Sequence, residues 1–552
     1  MENIPKEGFQ GLKENWRNDL VAAVSVSLIA LPLSLGIALA AEAPPMAGII
    51  SAIIGGLVTT FYRGGHIAVN GPAKGVIAVI IVGMATLGDG TDQVQAFRYV
   101  LAAIVISGAI QVLFGFLKLG RFADIFHSSV IYGILAAIGI YILAKQIHVA
   151  LGTYSKGPSI IENLVDAFRL LPSTNPFVAI ISLVGLLLIL IHPKIKFKPF
   201  KLLPAPMWVI ALSIPFVYGF DFFQAHELFF FGKIYQVAPE LLLDMPDGIW
   251  NALMFPDFSK INTIAFWTTV FSILIITSIE SLAIAKAVDK LDPYKRKTDL
   301  NKDLVGIGIG TMASGFLGGL PIIAVIIRST VNVNNGAKTK WSNMYQGLFL
   351  LLFIIVLSPI MKQVPLCAFA ILLVYAGFKL ASPKVFKKIY SFGIEQLIFF
   401  IGTMVLTLYT NLLIGLFGGL VLVVIGQMIL ARVFIFKYFK LTFNSKSELI
   451  RNSDGSYLLK IRGIANFLGV LKINKLLSQI PKGENVTIDL SETRFVGITA
   501  MDLFYDYEIL YQSSGGQLEI IGLENHTSST DNILSAKRNI KKVQSFTSPM
   551  KK

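Results

Sequence analysis

Fourteen apolar runs, separated by short polar or charged stretches, fill most of the first 440 positions. They lie near 20–41, 46–62, 73–87, 99–117, 126–148, 177–192, 203–219, 262–285, 303–317, 322–333, 345–361, 365–378, 394–410 and 412–434. Most approach the ~20 residues with which a helix crosses ~30 Å of hydrocarbon; several are shorter. After Phe439 the pattern changes. Residues 456–461, 485–490 and 517–522 read as strands, and 470–480 and 499–511 have helical periodicity. Alternating strands and helices predict a small α/β domain over 440–524. The last stretch, 525–552, is rich in Ser, Thr, Asn and Lys and reads as a disordered end.

Two of the short runs follow backbone breaks. One break is Val69-Asn70-Gly71-Pro72-Ala73-Lys74-Gly75 and the other is Gly318-Gly319-Leu320-Pro321-Ile322-Ile323. Proline suits a first helical position, where its missing N–H would be unpaired anyway. A helix starting inside a bilayer turns unpaired N–H groups and a positive dipole end toward whatever faces it. In each half of seven runs the third carries the break, and an odd number of crossings inverts the second half. Paired breaks in inverted repeats point to a transport site, and their polarity points to an anion.

Composition agrees with a membrane setting: 54% of the 552 residues are hydrophobic, 15% are charged, and mean hydropathy is +0.68. The net charge of +15 is read as lysine and arginine on cytoplasmic loops rather than nucleic-acid binding. With the N-terminus (1–19) inside, Lys118 and Arg121, then Lys194 to Lys201, Lys286 to Lys302, and Lys379 to Lys388, all fall on one side. The other side holds 220–261, where only Lys233 and Lys260 are basic. Residues 20–439 are thus the expected membrane domain. The polar 1–19 stretch lacks a cleavage site and is not read as a signal peptide. Cys367 is the only cysteine, so no intrachain disulfide or cysteine-based metal site is expected.

Glu280 and Arg328 stand out as ionisable residues inside apolar runs, where an isolated charge is costly. Arg328 is expected two turns into a half-helix starting after Pro321, as the natural partner of Glu280. The pair is read either as an interhelical lock or as function, with Arg328 supplying positive potential and Glu280 gating by protonation. Lys74 either snorkels to water or adds charge to the site. The glycines at 306, 308, 310, 315, 318 and 319 lack a Walker lysine and predict close helix packing. The histidines show no metal-ligand spacing, and no nucleophile–base set supports an enzyme.

The chain resembles the sulfate permease family of anion transporters. The matching stretches are Leu31-Pro32, Ala43-Pro44-Pro45, Asn70-Gly71-Pro72-Ala73, Ile279-Glu280-Ser281-Leu282-Ala283-Ile284-Ala285-Lys286, Gly318-Gly319-Leu320-Pro321, Arg328-Ser329 and Asn332-Val333-Asn334-Asn335-Gly336-Ala337-Lys338-Thr339. The C-terminal domain is similar to a STAS domain, although Gly497 stands where relatives often carry aspartate and Thr499 takes the serine-like place. That departure argues for docking, dimer support or trafficking rather than a phospho-switch. The resemblance implies an α-helical membrane protein of 14 transmembrane segments in a 7+7 inverted repeat of core and gate domains. It also implies a homodimer, with the STAS domain cytoplasmic and the whole in a bacterial inner membrane.

By the same resemblance the anion lies between the two breaks. Ala73, Lys74, Ile322, Ile323 and Arg328 would form the site, with Leu33 and Ile37 bordering it and Gly71, Pro72, Gly319 and Pro321 shaping the breaks. Leu33 stands where many relatives have glutamine. Proton-coupled sulfate symport, with Glu280 as coupling residue, is the leading expectation. Sodium-coupled bicarbonate transport is the alternative, with Thr277, Ser278 and Ser281 as oxygens near Glu280. An anion channel or anion-responsive motor is the alternative of another class. No cofactor or resident metal is expected.

Overall fold

The computed structural model describes residues 4–539 apart from 73, 121–126, 156, 158, 198–199, 201–202, 247, 249, 446, 482 and 514. Each of the fourteen apolar runs overlaps a helix, the tenth only from Ile326 onward. The first seven are α1 (Gly8–Ala40), α2 (Pro45–Leu57), α3 (Ile77–Gly88, entered by a 3-10 turn at Lys74–Val76), α4 (Gln93–Phe116), α5 (Ser128–Leu151), α6 (Pro176–Ile191) and α7 (Ala205–Gly219). The second seven are α8 (Ile264–Leu291), α9 (Leu300–Phe316), α10 (Ile326–Asn334), α11 (Trp341–Met361), α12 (Leu366–Leu380), α13 (Ile394–Tyr409) and α14 (Leu412–Ala431). Nine helical stretches among the described residues are long and apolar enough to cross a membrane. Lys74–Gly88, Ala205–Gly219 and Ile394–Tyr409 are shorter apolar helices.

The chain divides into two compact units. One comprises Met1–Gly120 with Ile138–Leu380, the other Arg121–Ala137 with Ala381–Lys552. In the first unit, helices approach through glycine. A Cβ on Gly308 would stand 2.8 Å from the carbonyl oxygen of Gly108, and one on Gly108 would stand 2.8 Å from that of Gly308. Gly56 of α2 meets Gly347 of α11 in the same way, with a Cβ 2.6 Å from the facing Cα. The glycine-rich stretch of α9 is therefore a packing surface, as its apolar setting suggests.

α1 begins at Gly8, well before the apolar run at 20. Asp19 explains the extension, because it is wholly buried and accepts bonds from the Lys338 and Thr339 amides and the Thr339 hydroxyl. Much of the polar N-terminal stretch is thus helix, tied by a carboxylate to the loop after α10.

At the centre of the first unit the two breaks meet as strands. β1 (Asn70–Gly71) pairs antiparallel with β4 (Ile323–Ala324), in the register Asn70↔Ala324 and Gly71↔Ile323. A second hairpin, β2 (His226–Phe230) with β3 (Lys233–Val237), lies between α7 and α8.

In the second unit, α15 (Ile435–Phe443) leads from α14 into the α/β domain. One sheet has the order β10-β8-β6-β5, made by Leu518–Ile521, Val486–Asp489, Tyr457–Lys460 and Glu448–Arg451. Another runs β11-β12-β9-β7, made by His526–Ser528, Lys537–Asn539, Thr493–Val496 and Gly463–Ala465. Helices α16 (Val470–Leu477) and α17 (Ile498–Ser513) complete a core containing Leu459, Leu477, Ile488 and Phe504. The three sequence-read strands correspond to β6, β8 and β10.

The tail departs from its reading as a disordered end, since β11 and β12 occupy part of it. Ser529 donates to Glu395 (2.9 Å) and Thr530 to the Ser391 carbonyl (2.9 Å), which gives this polar stretch partners that composition does not reveal. Residues 540–552 lie outside the described residues.

Candidate functional site

The second break does not start a helix at Pro321. The Gly319 amide donates to Ser314 O (2.7 Å), Leu320 N to Ala47 O (3.2 Å), Ile322 N to Thr311 Oγ1 (3.2 Å) and Val325 N to Val69 O (2.8 Å). With Ile323 and Ala324 in the ladder, the backbone from 319 to 325 is committed to the fold, and α10 begins only at Ile326. Its N-cap is Val325, without a side-chain cap, so the positive end of α10 is available to a ligand. Arg328 is consequently in the first turn of α10, not two turns in. The expected half-helix start at Pro321 is corrected by five residues, because Ile323 and Ala324 run extended to pair with the first break.

That first break is held from below by polar side chains. Asn70 donates through Nδ2 to Thr59 Oγ1 (2.5 Å) and accepts at Oδ1 from Arg63 (2.9 Å). Its amide donates to Asn343 Oδ1 (2.9 Å). Arg63 in turn is paired with Asp303 at 3.1 Å, both side chains essentially buried. Ser329 accepts from the Val69 amide (2.9 Å), and Asn332 donates to Ile67 O (2.8 Å). Each bond fixes backbone next to the Gly71-Pro72 turn. Ala73 lies outside the described residues.

Arg328 is 0% exposed. One terminal nitrogen donates to Ser34 Oγ (2.8 Å) and Ala30 O (3.4 Å) on α1, on either side of Pro32. Its Nε and other terminal nitrogen have no hydrogen-bond partner among the described residues. The guanidinium lies so close to Gly71 that any Cβ there would collide with it. A buried guanidinium with two vacant donor positions is a costly arrangement that an anion relieves.

Glu280 sits elsewhere. Its carboxylate presses on Gly75, leaving no room for a Cβ, and its Oε2 has no hydrogen-bond partner among the described residues. The charge acting on it is Lys74, in the 3-10 turn that opens α3. The expected Glu280–Arg328 ion pair is therefore absent. Arg328 in its first-turn position turns to Ser34 on α1, while Glu280 turns to the opening of α3. Both charges lie beside the first break, Arg328 at Gly71 and Glu280 at Gly75.

Ile322, Ile323 and Ile37 are buried, with Leu33 and Lys74 partly so. Gly71 and Ile323 face each other across the ladder, which brings these two predicted residues together. Gly319 and Pro321 shape the approach to β4 rather than the helix start. On α8, Ser278 accepts from Gln111 Nε2 (3.2 Å), Thr277 donates back to Ile273 O (2.7 Å), and Ser281 Oγ has no partner among the described residues. Sequence reasoning missed Ser34, which alone among the α1 side chains bonds to Arg328. Its signal was present, a lone hydroxyl two residues after a mid-helix proline. It also missed the Arg63–Asp303–Asn70–Asn343 set, whose members are far apart in sequence.

A family model described as "Sulfate permease family" matches residues 16–405. The chain is 26% identical to "Putative sulfate transporter YvdB" of Bacillus subtilis, over 75% of this chain and 74% of that one. It is 24% identical to "Bicarbonate transporter BicA" of Picosynechococcus, over 73% and 69%. Among solved structures, that of SLC26A9 superposes with a TM-score of 0.61 at 14% identity, covering 97% of this chain and 87% of the other.

Proposed function

Because this chain belongs to the sulfate permease family of anion transporters, we propose that it carries sulfate together with protons, by alternating access, through the place where its two backbone breaks meet. The observation that carries this reading is Arg328, a fully buried cation with two unpaired donor positions beside Gly71. A dianion with four acceptor oxygens answers both the charge and the vacant donors. The uncapped first turn of α10 adds N–H groups and the positive end of its dipole. Ser34 orients the guanidinium, and Ile37, Leu33, Ile322, Ile323 and Lys74 enclose the anion.

Glu280 is the coupling residue in this reading, working through Lys74 rather than Arg328. With Glu280 ionised, it offsets the charge of Lys74. With Glu280 protonated, the lysine charge stands alone and the site gains positive potential for a divalent anion. Protonation on the side of higher acidity thus promotes loading, and deprotonation on the other side promotes release. Residues 440–524 act as a cytoplasmic STAS domain in a homodimer of the bacterial inner membrane.

A second reading, bicarbonate carried with sodium, is favoured by the bicarbonate-transporting relative and by two vacant oxygens on α8, Glu280 Oε2 and Ser281 Oγ. Uptake of labelled sulfate and bicarbonate into proteoliposomes, with proton and sodium gradients imposed separately, distinguishes the two. The first reading predicts concentrative sulfate uptake on an inward proton gradient without sodium. Accumulation of bicarbonate on sodium alone overturns it in favour of the second. Large currents that follow the anion gradient with neither cation would identify a channel.

A further inference from the structure

The loop between α7 and α8 carries the β2–β3 hairpin, turned by Phe231 and Gly232 at φ 48° and 78°. Side chains alternate between its two faces. On the inner face, Phe230 and Tyr235 meet the ring of Phe177 edge-on, with centroids 5.9 and 6.4 Å apart. Val237 is wholly buried in the same cluster, with Phe222. Phe177 lies in the first turn of α6, and Phe220, also against Phe177, caps the end of α7. The hairpin is therefore seated on the ends of two apolar helices.

Its outer face is exposed, with no partner among the described residues. Phe229 and Ile234 stand opposite each other across the strands, 73% and 63% exposed, and Phe231 at the turn is 91% exposed. Lys233 beside them donates to Pro172 O at 3.2 Å, so a cation flanks the aromatic tip. Tyr218 near the end of α7 is also exposed. Aromatic side chains with a flanking lysine, at the end of a span, are the composition of a membrane interface. The apolar area is three side chains, bounded along the strands by Glu227 and Gln236. That is small beside the ~800 Å² per partner of a stable protein interface, and it suits insertion into lipid.

We propose that this hairpin is a bilayer anchor, with Phe229, Phe231 and Ile234 inserted among the headgroups at the end where α6 begins and α7 finishes. The anchor holds those two helix ends at a fixed depth. Cys367 is buried, so a cysteine introduced as Phe231→Cys takes a nitroxide label selectively in the full-length protein. In liposomes of phosphatidylcholine and phosphatidylglycerol, the label should be more accessible to oxygen than to a water-soluble nickel chelate, the reverse of the same label free in water. Ile234→Cys should report the same. Water-like accessibility at both positions overturns the proposal. Low accessibility to both reagents, as when a second copy or the chain itself covers the tip, overturns it as well.

Discussion

At the residue scale the central feature is the separation of two charges that sequence reasoning joins. Both Glu280 and Arg328 were legible as isolated ionisable residues in apolar runs, because the cost of burying a charge makes such residues rare. Their partners were not legible. Which side chain a buried guanidinium faces depends on the phase of its helix, and a five-residue shift in the start of α10 turns Arg328 toward Ser34. Glu280 is instead matched to Gly75, where only glycine leaves space for its carboxylate. Glutamine at 280 keeps the shape and removes the proton exchange. Glu280→Gln should abolish proton-driven accumulation of sulfate while exchange of labelled for unlabelled sulfate persists. Accumulation at the wild-type level on a proton gradient would remove Glu280 from the coupling.

At the scale of elements, the short β1–β4 ladder organises the site. Two strands of two residues are invisible to periodicity, which needs four or more positions to register alternation. Proline and glycine marked where the chain breaks, yet not that the second break runs as strand before becoming helix. The ladder depends on Asn70, whose side chain and amide together join Thr59, Arg63 and Asn343. Replacing Asn70 with alanine removes one bond to a buried Arg63 donor and one to Thr59, at about 1–3 kcal/mol for a buried group left unsatisfied. Asn70→Ala should lower the melting temperature of the purified protein and raise the KM for the anion more than it lowers the maximal rate. An unchanged KM would show that the ladder does not position the anion site.

At the scale of the whole molecule, the hydrophobic pattern revealed the fourteen helices because membrane spans are long and uniformly apolar. It did not reveal how they group. The last two spans, α13 and α14, fall in one unit with the α/β domain. Arg494 of β9 shows why, since it donates to the carbonyls of Ala431 (2.7 Å) and Arg432 (3.3 Å) at the end of α14. Arg432 has φ 48°, so the helix ends in a left-handed turn whose carbonyls the arginine satisfies. Nearby, Asn466, Tyr438 and Gln427 form a buried hydrogen-bonded set linking the domain, α15 and α14. Arg494→Ala should expose this junction to limited proteolysis and split a single thermal transition into two. A single unshifted transition would mean that the other contacts suffice. The cysteine-free junction and the buried Cys367 allow either experiment without reducing agent.

The account rests on Arg328 as the group that holds the anion, and sulfate binding by purified protein tests it most directly. Charged hydrogen bonds contribute about 1.5–3 kcal/mol each, so Arg328→Ala should raise the Kd for sulfate by roughly ten- to a hundredfold. The same substitution removes an unpaired buried charge, and the ligand-free variant should therefore melt no lower than the wild type. Wild-type sulfate affinity in Arg328→Ala, or a ligand-free variant that melts well below the wild type, would contradict the account and make Arg328 a structural lock instead.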